Sequence, residues 1–127
     1  MCFVYSKVYL RVKVVGRQHV PTTGSFIFAS NHASYLDPIL LGTSIYRSLN
    51  YMAREDLFKK GFLAWALPKV QAFPLRRGEG DTAALRQALK LLKTGKPLVI
   101  FPEGTRTESG QLQQGKPGIG FIVAKAG

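Results

Sequence analysis

Cysteine, acidic side chains and long apolar stretches are all scarce in this sequence of 127 residues. Its one cysteine, Cys2, cannot form an internal disulfide and says little about the cellular compartment. The longest unbroken apolar run spans residues 62–67, far short of the ~20 residues that a transmembrane helix needs. The two histidines, His19 and His32, have no cysteine or second histidine at ligand spacing, so no metal site is expected.

The charge balance is strongly basic, with 18 Lys and Arg against 7 Asp and Glu and a net charge of +11. Such a surface concentrates anions, including nucleic acid, phosphate metabolites, acidic carrier proteins and anionic lipid headgroups. The 14 aromatic residues argue against a disordered chain. The length fits one globular domain over residues 1–127.

The first 20 residues mix cations with apolar and aromatic side chains. Lys7, Arg11, Lys13 and Arg17 occur there, and no acid precedes Leu36. This composition favours a segment that faces a membrane surface. The alternative is an edge strand whose cations point to solvent. No apolar h-region follows the basic residues, so a secretory signal is not expected.

Further along the chain, apolar runs and helical periodicity alternate. Short apolar runs predict strands at residues 25–30, 49–53, 70–75 and 97–101. Helical spacing predicts helices at 37–47, 55–67 and 81–93, the last one capped by Asp81. Pro74 places the third strand at an edge or an exit loop. This order predicts an α/β fold, a mixed or mostly parallel sheet with helices on both faces.

The loop after the first strand reads NHASYLD and places His32 five positions before Asp37. On one continuous helix these side chains would point about 140° apart. They can meet if His32 lies in the turn and Asp37 in the first helical turn. A carboxylate on one ring nitrogen leaves the other free to take a proton from a substrate hydroxyl. Ser34 is better placed as a turn or cap hydroxyl than as a nucleophile.

Two further loops follow predicted strands and carry groups suited to a phosphate. The sequence after the fourth strand contains Glu103, Gly104, Thr105 and Arg106, which combine a carboxylate, a permissive backbone, a hydroxyl and a guanidinium. The loop after the third strand adds two adjacent cations at residues 76–77. Because the carboxyl ends of parallel strands share one edge of a sheet, these loops are expected to lie near one another.

The motifs NHASYLD, AFPLRRG and FPEGTR, in this order, resemble the first three conserved blocks of the glycerophospholipid acyltransferases of the lysophosphatidic acid acyltransferase type. The resemblance implies a glycerol-3-phosphate acyltransferase-like fold and a monotopic enzyme at the cytoplasmic face of a membrane. It also implies transfer of an acyl group from acyl-CoA or acyl carrier protein to lysophosphatidic acid, giving phosphatidic acid without a further cofactor. The fourth block would follow residue 127, so the resemblance implies a domain incomplete at its C-terminus.

The same resemblance implies roles for individual residues. His32 would be the general base and Asp37 its orienting partner. The acceptor's glycerol phosphate would be bound, with Arg76 in a supporting role, by Arg77, Glu103, Gly104, Thr105 and Arg106. Asn31 and Ser34 would shape the turn. Three aromatic side chains at helical spacing are predicted to be core, with an acyl-binding groove as the alternative: Tyr46, Phe62 and Trp65.

Other functions compatible with the sequence are acylation of a different lysophospholipid or of glycerol 3-phosphate, a hydrolase that uses water with the same His-Asp pair, and a non-catalytic lipid-binding module. A nucleic-acid-binding domain would suit the charge. However, no recognised helix or sheet signature of such a domain is evident, so nucleic acid is not an expected partner.

Overall fold

The computed structural model of the chain describes Val4 and residues 8–76 and 82–127. Its four strands are β1 (Ile27–Ala29), β2 (Asn50–Arg54), β3 (Ala72–Leu75) and β4 (Leu98–Ile100). Its four main helices are α1 (Asp37–Ser44), α2 (Gly61–Lys69), α3 (Thr82–Lys93) and α4 (Gly118–Ala126). Short 3-10 helices occupy Arg17–His19 and Glu55–Lys59.

All four predicted strands and all three predicted helices are confirmed, with shifted ends. The segment at 55–67 divides into a 3-10 helix and α2. Helix α2 also continues past the predicted stop and includes Pro68. A proline in the last turn removes only one backbone hydrogen bond, so the turn survives. The predicted cap, Asp81, lies outside the described residues.

The four strands form one parallel sheet in the order β1-β4-β2-β3. Central strand β4 aligns Val99 with Phe28 on one side and with Tyr51 on the other. Strand β3 lies at the edge, where Pro74 opposes Ala53 without having to donate to a second neighbour. The predictions of a mostly parallel sheet and of an edge position for Pro74 are therefore confirmed.

Helices cover both faces of the sheet. Successive side chains of β4 point to opposite faces, and because both sets are apolar, both faces need to be covered. Leu98 and Val99 are both almost fully buried, at 0% and 1% exposure. Leu98 packs with residues of α3 and α4: Ala88, Leu91, Leu92 and Ile122. Val99 packs on the opposite face with residues at and beyond the end of α1 and in β2: Ile45, Leu49 and Tyr51.

The predicted core assignment of three aromatic residues is wrong. Tyr46, Phe62 and Trp65 are 80%, 74% and 59% exposed. Helical spacing identifies residues that share a face, but it does not determine whether another element covers that face. Here the described part of the chain leaves the outer face of α2 uncovered.

The N-terminal segment forms no edge strand over residues 8–16, which lie outside the described four-stranded sheet. The edge-strand alternative is therefore wrong for this stretch. Among the described helices, none has both the length and the apolar character to cross a membrane.

Candidate functional site

The His32 imidazole and the Asp37 carboxylate meet in the loop between β1 and α1. His32 Nδ1 lies 2.9 Å from Asp37 Oδ2, and both side chains are 19% exposed. Asp37 is the first residue of α1, while His32 lies in the preceding loop. The predicted fold-back of this loop is confirmed. A proton on Nδ1 satisfies the carboxylate and leaves the Nε2 lone pair available as a base.

Two backbone groups hold the same carboxylate oxygen. The N–H groups of Ala33 and Ser34 donate to Asp37 Oδ2 at 2.7 and 2.8 Å. Burial by itself would raise the pKa of Asp37, but the hydrogen bonds from Ser34, His32 and Ala33 outweigh it and lower the pKa. Asp37 is consequently a fixed anion at neutral pH.

The turn also uses the Ser34 hydroxyl, which accepts a hydrogen bond from Leu36 N–H at 3.1 Å. This contact agrees with a turn role for Ser34. The recorded hydrogen bond of Asn31 is made by its carbonyl oxygen, which accepts from the Ser30 hydroxyl at 3.0 Å. The predicted turn-shaping role of the Asn31 side chain stays a prediction.

The loop after β4 lies directly against His32. The Phe101 ring stacks on the imidazole with centroids 4.2 Å apart and an interplanar angle of 23°. Thr107 N–H donates to the His32 carbonyl oxygen at 2.8 Å. Strands β1 and β4 are neighbours, so their carboxyl ends bring these two loops together. Sequence reasoning assigned no role to Phe101 or Thr107, although Phe101 opens the third motif.

The residues of the third motif differ in their surroundings. Glu103 is buried at 6% exposure, and its Oε2 has no hydrogen-bond partner. Gly104 adopts φ +72°, and a Cβ there would approach Lys116 Nζ to 2.9 Å. Lys116 therefore adds a cation beside this loop that the sequence analysis did not identify. The Thr105 hydroxyl is exposed and lies 3.4 Å from Gln113 Oε1.

The Arg106 guanidinium is exposed and lies over the Tyr35 ring, 3.4 Å from its centroid. Tyr35 belongs to the first motif, so this contact joins the same two loops a second time. A guanidinium stacked on a ring keeps its in-plane N–H donors free for a forked contact with an anion. Sequence reasoning missed the role of Tyr35 because a side-chain contact between two loops leaves no pattern in either.

The loop after β3, which was predicted to add two adjacent cations, is only partly described. Arg76 follows β3 and places Nε 3.6 Å from Glu55 Oε2, with its side chain 75% exposed. Strand β2 separates β3 from β4, so Arg76 begins about 10 Å of sheet width away from the loop after β4. Arg77 lies outside the described residues.

A cleft of about 270 Å³ lies at the other end of the strands, and its lining includes Arg47, Asn50 and Lys96. Arg47 donates to the carbonyl oxygens of Gly24 and Gly95. These polar groups hold loops together, and the cleft is remote from His32, since it borders the amino ends of β2 and β4.

The known proteins to which this chain is similar are acyltransferases. The family model Acyltransferase matches residues 11–127. A 1-acyl-sn-glycerol-3-phosphate acyltransferase of Bacillus subtilis is 36% identical over 97 residues, covering 76% of this chain and 49% of the relative. A lyso-ornithine lipid O-acyltransferase of Pseudomonas aeruginosa is 32% identical over 88 residues, covering 68% of this chain and 33% of the relative.

The structure resembles the crystal structure of the 1-acyl-sn-glycerophosphate acyltransferase PlsC from Thermotoga maritima, with a TM-score of 0.77 and 27% sequence identity. The match covers 99% of this chain and 52% of that one. The chain thus spans about half the length, or less, of the relatives it matches.

Proposed function

Because the chain belongs to the acyltransferase family, we propose that it transfers a fatty acyl group to the free hydroxyl of 1-acyl-sn-glycerol 3-phosphate, giving phosphatidic acid. The observation that carries this proposal is the 2.9 Å contact between His32 and Asp37. It supplies a base that can act on a hydroxyl brought by the substrate.

In the proposed reaction, Nε2 of His32 takes the proton of the acceptor hydroxyl as the oxygen attacks the thioester carbonyl. The tetrahedral oxyanion then collapses and expels the thiolate, which takes the proton back from the imidazolium. Asp37 stabilises the imidazolium during the time that it is charged. The stacked Phe101 ring restricts rotation of the imidazole. No covalent intermediate with the protein is formed.

The acceptor phosphate would be bound at the loop after β4. Arg106 offers paired N–H donors, and the backbone N–H of Thr105 would add another. The Gly104 N–H already donates to the Phe101 carbonyl oxygen at 3.0 Å, so Gly104 would contribute a close approach of the backbone to the acceptor. Glu103 would accept from a glycerol hydroxyl through its unpartnered Oε2. Arg77 would contribute a further cation from the loop after β3.

The acyl donor in this proposal is acyl-CoA or acyl carrier protein, and the site of action is the cytoplasmic face of an anionic membrane. The net charge of +11 suits all of these partners because each of them is anionic. The cations interleaved with apolar residues at 7–17 would contribute to membrane contact.

A second candidate is acylation of a different lysolipid by the same chemistry. The similarity to a relative named lyso-ornithine lipid O-acyltransferase favours it. The nature of the headgroup separates the two candidates, because Arg106 is expected to matter for a phosphate monoester.

Replacing His32 by alanine tests the proposal. Free thiol released from acyl-CoA is measured with and without lysophosphatidate. The wild-type protein should release thiol only with the acceptor, and His32→Ala should lower kcat by roughly 10²–10⁴-fold. His19→Ala, which changes the other histidine of the chain, should retain activity. Near-normal transfer by His32→Ala would reject the base assignment, and acceptor-independent release would indicate a hydrolase.

Replacing Arg106 by alanine tests the acceptor site. The KM for lysophosphatidate should rise about tenfold or more, since a charge-assisted pair is lost, while kcat changes little. The KM for a lysolipid without a phosphate monoester should not change. Equal KM values for the variant and the wild type on lysophosphatidate would remove Arg106 from phosphate binding.

A further inference from the structure

The outer face of α2 carries an exposed aromatic stripe, defined here as Phe62, Trp65 and Lys69. Positions i, i+3 and i+7 fall on one side of a helix. The two rings are 5.5 Å apart, and Lys69 Nζ lies 3.6 Å from the Trp65 centroid. Phe62 and Trp65 are 74% and 59% exposed, so the stripe presents two large rings and an ammonium group to the surroundings.

Lysines lie at both ends of this stripe, and α2 itself contains no acid. The two acids of the preceding 3-10 helix, Glu55 and Asp56, are paired with arginines. Lys59 and Lys60 precede the helix and are exposed. Lys60 approaches Asp56 only to 3.9 Å, so it stays largely available. Aromatic rings flanked by lysines match the chemistry of the headgroup region of an anionic bilayer, where rings enter the interface and ammonium groups meet phosphates.

We propose that the aromatic stripe of α2 docks on an anionic lipid bilayer, with Phe62 and Trp65 in the interface and the lysines against lipid phosphates. A helix of nine residues is about 14 Å long. It is too short to cross a bilayer, so in this proposal it lies along the surface. The core of a protein interface is depleted of lysine, so the lysine in the stripe favours lipid as its occupant.

The connections of the chain place this stripe near the candidate site. Strand β2 ends at Arg54, and the 3-10 helix Glu55–Lys59 leads from that end to the start of α2. The Phe62 end of the stripe thus lies toward the carboxyl edge of the sheet, which also carries the loops of His32 and Arg106. Docking there brings this edge to the lipid surface. This link between the stripe and the candidate site rests on the proposed function, in which the acceptor substrate is a lipid.

Trp65 is the only tryptophan of the sequence, so its fluorescence reports on the stripe directly. The probe is vesicles of phosphatidylcholine with about 30% phosphatidylglycerol, compared with phosphatidylcholine alone. Trp65 emission should shift to shorter wavelength with the anionic vesicles and should be quenched by bromine-labelled lipid. Vesicle binding with unchanged emission would place the contact elsewhere and overturn the proposal. Protection of Trp65 from acrylamide before vesicles are added would show that protein covers the stripe, and would also overturn it.

Vesicle co-sedimentation of two variants measures how much the stripe contributes to lipid binding. Phe62→Ser should weaken binding about tenfold, and Lys69→Gln about fivefold. Leu112→Ser, which removes another exposed apolar side chain (81% exposed), is the matched control and should bind normally. Equal binding by all three variants would overturn the proposal.

The outcomes also separate this proposal from the enzymatic one. His32→Ala should bind vesicles normally while losing acyl transfer. Phe62→Ser should turn over a short-chain, water-soluble donor and acceptor within twofold of the wild-type rate. Loss of that turnover would place Phe62 in an acyl-binding groove and contradict docking on lipid.

Discussion

Among the described residues of the candidate site, Asp37 Oδ2 is the side-chain atom that accepts the most hydrogen bonds, from His32 and from two backbone N–H groups. These three donors come from within five residues of Asp37 along the chain. A short-range arrangement of this kind can be predicted from residue spacing, and the His32–Asp37 pair was predicted in this way. The stack of Phe101 on His32 could not be, because it depends on which strands become neighbours.

The lowered pKa of Asp37 predicts a pH-dependent stability. The stabilisation that the ionised Asp37 carboxylate gives to the folded state is complete above the unfolded-state pKa of about 3.9. It is lost as the pH falls through the lower folded-state pKa. Asp37→Asn should reduce the free energy of unfolding at pH 7 by about 1.5–3 kcal/mol, and the difference from the wild type should shrink at pH 3. Urea unfolding at the two pH values measures this.

The control for this prediction is Asp56→Asn. Asp56 also has a lowered pKa: its slight desolvation would raise the pKa, but hydrogen bonds from Arg54 outweigh it, and the side chain is 43% exposed. Solvent screens such a pair, so this variant should lose less stability at pH 7. A loss for Asp37→Asn that is equal at both pH values would contradict a charge-dependent role of the carboxylate.

Tyr35 should act as a positioning residue for Arg106, because its ring supports the guanidinium. An exposed cation–π contact is worth about 0.5–1 kcal/mol, so Tyr35→Leu should raise the KM for lysophosphatidate about two- to fivefold at unchanged kcat. Tyr35→Phe keeps the ring and should behave as the wild type. The same KM increase for an acceptor without phosphate would instead indicate a general disturbance of the loop.

At the scale of elements, α1 is held against β2 by a close approach at Gly42. A Cβ on Gly42 would lie 3.1 Å from Tyr51 Oη. Tyr51 is buried, its burial raises its pKa to about 12, and its hydroxyl donates to the Pro38 carbonyl oxygen at 2.9 Å. The buried ring has little room to move, so glycine is needed at this contact.

This contact predicts opposite effects for two Gly→Ala changes in helices. Gly42→Ala should lower the free energy of unfolding by about 1–2 kcal/mol, because the clash with Tyr51 exceeds the gain in helix propensity. Gly120→Ala in α4 meets nothing within 4 Å and should be neutral or stabilising by up to about 1 kcal/mol. Thermal unfolding of the two variants measures the difference. Stabilisation by Gly42→Ala would show that Tyr51 moves freely.

The end of α2 shows a local feature that could be recognised only in part from the sequence. Gln71 adopts φ +58°, a left-handed conformation that glycine adopts without strain. Its N–H donates to the Pro68 carbonyl oxygen at 3.1 Å and so closes the helix end. The presence and order of the three predicted helices followed from helical periodicity, which is local, but their ends did not, since α2 continues through Pro68. The exposure of Phe62 and Trp65 was not predicted, because distant parts of the chain decide whether a helix face is covered.

At the scale of the whole molecule, the alternation of strands and helices predicted an α/β fold with a mixed or mostly parallel sheet, and the four described strands are all parallel. The order β1-β4-β2-β3 was beyond prediction from the sequence, since several orders bury the same apolar strands equally well. This order determines the site. It places the loop after β4 beside His32 and leaves Arg76, after β3, with Glu55 as its partner.

The central position of β4 also affects how a nascent chain acquires this architecture. Strand β4 is the last of the four to leave the ribosome, yet it separates the first two. Until residues 98–100 emerge, β1 and β2 each lack their shared neighbour, and their unpaired backbone groups are available for wrong associations. The imidazole of His32 likewise has no ring to stack on until Phe101 has been synthesised, so the His32–Phe101 stack and the described four-stranded sheet form in the same late event.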